Sequence, residues 1–313
     1  MSLFFRLIQF CILIFLVAAC RVEEAKPSKK NKLIIASDFL KSADEILFND
    51  FTKKNKIQIK IVFLSADSIK KTLNRDRFNS NFDLVFVKSL QSVKELNAVS
   101  FHPISKSNIK QSFTKFRAFR NKTWFSIGVD PFVFSFIPDT LAYPKTYAEL
   151  GKEHKFSCLK TTNNKVLFAH VKYLSKKNPK YYISWKKSFQ KNLSPFIVDS
   201  DSLPSKQFLL INWSEFLSNP IFKKNSKRKI DFDINYPNGL YADRKCIAIV
   251  LEARNFKNAL LFMSYLNDKS NNEKFYKKMG VIPISKKLNS YSSRSIQTMK
   301  IMKINEDSLL MNL

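Results

Sequence analysis

Hydrophobic and polar positions come in blocks along this chain, and the blocks predict its elements. The first apolar block, Leu7 to Ala19, is interrupted only by Gln9 and follows a single basic residue, Arg6. It is too short to cross a hydrocarbon core of about 30 Å comfortably as a permanent helix, but suits the apolar centre of a secretory signal. Arg21 to Asn31 (RVEEAKPSKKN) is polar and charged, which predicts a flexible tether. Lys32 to Ala36 is then an apolar run of the kind a buried strand needs. Ser37 and Asp38, both good helix caps, precede helical spacing from Phe39 to Lys53, with Ile46, Leu47 and Phe51 on one face. The succession recurs: Ile57–Leu64, then Ser65-Ala66-Asp67-Ser68, then a helix from Ile69 towards Arg77. It recurs again as Phe82–Val87, Lys88-Ser89 and a helix from Leu90 to Leu96. Strand, cap and helix in three repeats predict an α/β fold with a parallel sheet. Further on, Trp124–Gly128 and Pro131–Phe136 read as two strands parted by Val129-Asp130, and Pro144–Leu150 as a short helix with an early Pro.

In open parallel sheets, ligands lie beyond the carboxyl ends of the strands, where the chain turns into helices. Ser37, Asp38, Ser65, Asp67 and Ser89 all fall there, beside helix N-terminal N–H groups suited to anions. Each of them taken alone is better explained as a cap of its own helix.

Charge changes this picture little. The chain has 54 Lys+Arg against 25 Asp+Glu, a net charge of +29. The basic residues are spread as single lysines or short pairs from Lys26 to Lys303, without an arginine-rich stripe, so nucleic acid is not the expected partner. A basic surface still favours anionic lipid headgroups and acidic partners. Of the four cysteines, Cys11 lies in the apolar block and Cys20 at its end. Cys158 and Cys246 could pair in an oxidising compartment, although two buried thiols are the expectation. His102, His154 and His170 are isolated, with no His-Glu-x-x-His or Gly-x-Ser-x-Gly pattern. Four glycines leave no glycine-rich phosphate loop, so neither an enzyme nor a cofactor is expected.

Val17-Ala18-Ala19-Cys20 resembles the lipobox of bacterial lipoproteins, in which the cysteine sulfur is acylated and the chain is cut before it. The resemblance implies a signal peptide over 1–19 and a lipid-anchored tether over 20–31 beginning at Cys20; an uncleaved N-terminal anchor is the alternative. Either way, the rest works outside the cytoplasm, periplasmic or at the cell surface, attached to a membrane.

Five further segments follow the layout of one family. They are Phe82-Asp83-Leu84-Val85, Trp124-Phe125-Ser126-Ile127, Pro144-Lys145-Thr146-Tyr147-Ala148-Glu149-Leu150, Tyr241–Val250, and Asn255–Leu266 followed by Gly280-Val281-Ile282-Pro283-Ile284. In this order they resemble the extracellular solute-binding proteins of bacterial ABC importers, in particular the branch containing the ferric-iron binders. The resemblance implies a type II periplasmic-binding-protein fold: two lobes, each a mixed, mainly parallel sheet flanked by helices, with the ligand in the cleft between them. One lobe would combine 32–104 with 232–279, the other 105–231 with 280–313. It also implies a monomeric receptor that delivers a small solute or ion to an ABC permease in the cytoplasmic membrane. An envelope lipoprotein of the same fold, serving binding, adhesion or signalling without transport, is the alternative.

The chain departs from the ferric pattern where the ligands should be. The second-lobe tyrosine pair is replaced by Asn212-Trp213-Ser214-Glu215-Phe216, and an arginine after the tryptophan strand by Asp130-Pro131. Tyr181-Tyr182 lies earlier, on an amphipathic stretch, where packing or exposure is expected. An organic solute is then a reasonable ligand: Trp213 could offer a flat face, or equally be a core residue, and Asp130 or Glu215 could pair with a cationic head group. Asn235, Tyr236, Asn238 and Tyr241, before the re-entry strand, are further cleft candidates.

Overall fold

The computed structural model describes residues 31–76, 81–96, 99, 101–104, 117–118, 123–136, 146–151, 156–158, 164–195, 208–218, 222, 229–231, 240–266, 273–283 and 306–313. The signal and tether expected at the N-terminus, Cys20, and Tyr236 with its neighbours Asn235 and Asn238 lie outside these residues.

The three apolar runs near the start form β1 (Lys32–Ser37), β2 (Gln58–Phe63) and β3 (Leu84–Val87), with β1 parallel to both of the others. All four residues of β3 are buried, as befits a strand covered on both faces. β2, with β1 on one side, alternates exposed Gln58 and Lys60 with buried Ile59 and Ile61. The expected caps form at two helices. Ser65 Oγ accepts Ser68 N–H at the start of α2 (Ala66–Asp76; α1 is Asn49–Asn55), and Ser89 Oγ accepts Ser92 N–H at the start of α3 (Leu90–Leu96). The expected single helix over Phe39–Lys53 is instead a 3-10 helix at Ser42–Phe48 followed by α1. Ser37 Oγ accepts Leu40 N–H, closing a turn before the helix, and Asp44 caps the next turn by accepting Lys41 N–H.

The sheet then changes direction. β10 (Ala242–Ile249) enters antiparallel between β3 and β5 (Trp124–Phe136). Where the sequence suggests two strands, β5 is one 13-residue strand. Its first part, Trp124–Pro131, pairs with β10, with the short β4 (Arg117–Ala118) and with β11 (Ile282–Pro283). Its second part, Phe132–Phe136, pairs antiparallel with β8 (Phe208–Asn212) and β9 (Lys229–Asp231). β8 continues in parallel to β6 (Phe156–Cys158), and β6 to β7 (Leu193–Pro195). The change of partners falls at Pro131–Phe132. Pro131 has no N–H to give, and a partner switch is where a strand tolerates that loss. Phe132 N–H goes to Tyr241 O, on the segment leading into β10.

The first half, β2-β1-β3-β10 with Trp124–Pro131, buries an aromatic cluster of Phe48, Phe51, Phe86, Phe262 and Phe275. Asp83, the aspartate of the expected family motif, ties this half together. Its carboxylate accepts Ile34 N–H on β1 and Asn255 N–H at the start of α7 (Phe256–Leu266). The second half packs α4 (Asn164–Leu174) and α5 (Pro179–Asn192) over its sheet, and Trp185 and Phe189 are buried there. The remaining helices are α6 (Trp213–Ser218), α8 (Glu273–Met279) and α9 (Glu306–Asn312); α9 packs on both α4 and α3. Cys246 is buried, with its Sγ 3.8 Å from Ser126 Oγ and from Arg244 O.

Candidate functional site

Between the halves lies a cleft of about 1080 Å3. Its floor is built where β5 and β10 run side by side. Residues 243–245 are Asp-Arg-Lys on a fully buried strand, so each charged group needs a partner. Lys245 is 8% exposed and Asp130 1%. Lys245 Nζ donates to Asp130 Oδ2 at 2.9 Å and lies over the Phe39 ring, 5.7 Å from its centroid. Burial alone would pull this ammonium down. The Asp130 charge and hydrogen bond outweigh it, aided by Asp243 and Asp38, and Lys245 ends above its ordinary value. Asp130 also reaches into the second half, accepting Ser214 N–H at 2.8 Å and a short hydrogen bond from Ser214 Oγ.

Two more carboxylates stand around this pair. Asp38 accepts Lys88 N–H at 2.7 Å and Ser92 Oγ–H at 2.6 Å; its burial raises its pKa against those donors. Asp243 accepts Leu90 N–H at 2.9 Å, at the start of α3, and Arg244 N–H at 2.7 Å. Burial lifts Asp243 to about 6 in spite of those donors and of Lys245. At the rim, Lys41, Lys88, Lys165 and Lys278 are exposed and make no salt bridge among the described residues. Phe63, 53% exposed, presents its ring to the same cleft, with Lys41 Nζ over it at 6.0 Å from the centroid. The amide oxygen of Asn164, at the start of α4, is enclosed there without a hydrogen-bond partner among the described residues.

Of the residues expected from sequence, Asp38, Ser65, Ser89 and Asp130 line the cleft. Ser37, Asp67, Trp213 and Tyr241 do not. Ser37 closes its turn. Asp67 pairs on the surface with Lys71 at 2.8 Å. Trp213 is buried at the start of α6 and stacks on Phe216. Tyr241 is buried between Tyr147, stacked at 4.2 Å, and His170, at 4.9 Å. Glu215 lies within α6. The expected pairing of Asp130 with a solute's cationic head group meets an occupant already in place, Lys245. Among the described residues, no group of three His, Cys, Asp or Glu is arranged to hold a metal ion. Sequence reasoning missed Asp243 and Lys245, although three successive charges inside an apolar strand run are a readable signal.

No family model matches the chain, and no curated protein matches it in sequence. Solved structures do match. The Trichodesmium protein IdiA (FutA), in complex with iron and citrate, is 17% identical with a TM-score of 0.72, over 90% of this chain and 95% of that one. The ferric binding protein of Campylobacter jejuni gives 17% and 0.69 over the same shares. The ferric iron-binding protein A of Mannheimia haemolytica, in an open conformation, gives 16% and 0.70, again over 90% and 95%. At these identities the likeness is one of architecture, and the chain has the two-lobed α/β fold of these ferric-binding proteins.

Proposed function

We propose that the protein is an extracytoplasmic solute-binding receptor, anchored by lipid at Cys20, that captures a small ligand between its halves and delivers it to an ABC importer. The observation that carries this is the cleft itself, floored where β5, the strand that runs from one half into the other, lies beside β10, and lined by polar groups from both halves. A solute gripped from both sides favours the closed arrangement of such a pair, which is the form a permease can distinguish from the empty one. The neighbours named above are binding proteins, two of them named for ferric iron and one solved with iron and citrate. The reaction is capture and release, without bond making.

The test is purification of the full-length protein from its native host in detergent, followed by mass spectrometry of what it carries. One small molecule or ion per chain is expected, and re-adding it to stripped protein should raise the melting midpoint and contract the particle in small-angle scattering. A protein that carries nothing, and whose midpoint is unmoved by a broad metabolite panel, would instead be an envelope module without transport.

A further inference from the structure

We propose that the solute of this cleft is a compact organic anion carrying carboxylate or phosphate oxygens, received at the floor by Lys245 and at the rim by lysines of both halves. The inference rests on the receptor reading above and names the class of its ligand.

The cleft is nearly balanced in charge, but its two signs are used differently. Four carboxylates line it: Asp38, Glu95, Asp130 and Asp243. Every one already accepts hydrogen bonds from the protein: Asp38 from Lys88 and Ser92, Glu95 from Gln91, Asp130 from Ser214 and Lys245, Asp243 from Leu90 and Arg244. The ammonium groups are not engaged in this way. An ammonium has three donors. Lys245 spends one on Asp130, its only hydrogen bond among the described residues, and the group is more than nine-tenths buried in the wall of the cleft. Lys41 and Lys88 from the first half and Lys165 from α4 add cations that make no salt bridge among the described residues. Asp38, Asp130 and Asp243 are buried and held by at least two donors each, and Glu95 alone of the carboxylates is exposed, against four exposed lysines and Lys245. The balance offered to a ligand is thus of donors and positive charge, and charge-assisted bonds to carboxylate or phosphate are the strong kind.

The same arrangement refuses a bare cation. Lys245 sits among Asp38, Asp130 and Asp243 as a tethered cation would, so a metal ion or polyamine must first displace it. An organic anion meets no such competitor. The exposed ring of Phe63 gives a flat apolar part of the solute something to cover, and the Asn164 oxygen can accept from a hydroxyl.

Calorimetric titration of the full-length protein in detergent tests this with citrate and phenyl phosphate as anionic probes and spermidine as a cationic one. Equilibrium dialysis against iron(III) buffered by nitrilotriacetate counts bound metal. At least one anion should bind the wild type in the absence of metal, and K88A/K165A should weaken it about tenfold or more. K245M should abolish that binding and open the vacated floor to spermidine. K245M also leaves Asp130 without its cation, so the exposed double variant keeps the test decisive if K245M fails to fold. Binding of spermidine or chelator-free iron by the wild type, with neither anion bound, overturns the inference and leaves the receptor reading standing. Anion binding that survives in K88A/K165A and in folded K245M also overturns it, because the anion then sits elsewhere. If no probe binds and nothing co-purifies, the receptor reading itself has failed and the inference with it.

Discussion

The chain passes between its halves at two adjacent places, and each is held by a different chemistry. At Asp130–Phe132 the holding groups are ionic and polar: Lys245 on one side of the Asp130 carboxylate, Ser214 on the other. At Tyr241 they are aromatic: Tyr147, Tyr241 and His170 stack in series, with interplanar angles of 7° and 11°. The two passages touch through one hydrogen bond, Phe132 N–H to Tyr241 O at 3.0 Å. Only the ionic passage faces the cleft. A stack of rings stabilises by area and tolerates small slips, whereas a buried charge pair tolerates neither loss of a partner nor much displacement. The contrast teaches that position is defined most tightly beside the ligand and more permissively behind it.

Asp130→Ala should separate the two passages most. It leaves the buried Lys245 ammonium unpaired and frees Ser214, and breaking such a pair costs about 3–5 kcal/mol. Urea unfolding should show that loss; a change below about 1 kcal/mol would mean that water already screens the pair.

The pH dependence sets one buried group of each passage against the other. His170 is held down to about 3, by burial first and then by the Arg244 charge, against 6.5 when unfolded. It contributes stability present above 6.5 and lost as pH falls towards 3. Asp243 runs the other way: its contribution is present below 3.8 and lost as pH rises through about 6. Between those values the two oppose each other, and the wild-type profile of stability should be shallow. In H170N the Asp243 slope is no longer opposed, and the raised Asp38 runs the same way, so stability should drop by on the order of 3 kcal/mol or more from about pH 4 to about pH 6.5. A variant profile parallel to that of the wild type would sink the assignment.

Gly280 backs the ionic passage from outside. Its φ is +60°, and a Cβ there would stand 2.9 Å from Ser214 Cα. Gly280→Ala should cost about 1–2 kcal/mol, by left-handed strain and by pushing the residue that holds Asp130. The melting midpoint reads this directly, and anion affinity should fall with it. The smallest effect belongs to the aromatic passage. Tyr147→Phe deletes the hydrogen bond from its hydroxyl to Phe132 O at 2.6 Å but keeps the stack, for a loss of about 1 kcal/mol by chemical unfolding.

The sequence made the first half readable because its signals are local. Apolar runs of strand length, each followed by Ser or Asp, specify strand, cap and helix without reference to distant residues, and the Ser65 and Ser89 caps form as expected. Asp38 was legible as a cleft residue by its place after β1, though its partners, Lys88 and Ser92, lie far along the chain. The long β5 was not legible, since Asp130-Pro131 reads as a break until β10 and β8 are known to take over its pairing on either side. Tyr241 looked like a cleft residue from its place before the re-entry strand, but the stack with Tyr147 and His170 is a long-range contact that no spacing announces. Lys245 was easily passed over among 54 basic residues, and the one local sign of it is its place in the charged triplet Asp243-Arg244-Lys245 within an apolar strand run.

That a single strand serves both sheets has a consequence for anyone who would divide this protein. A cut between Pro131 and Phe132 would sever the rod around which both sheets assemble, and each fragment would present raw backbone donors and acceptors along an unguarded margin. Such margins recruit other strands. The halves should therefore be recovered as insoluble matter when made apart, and should regain order only when made together.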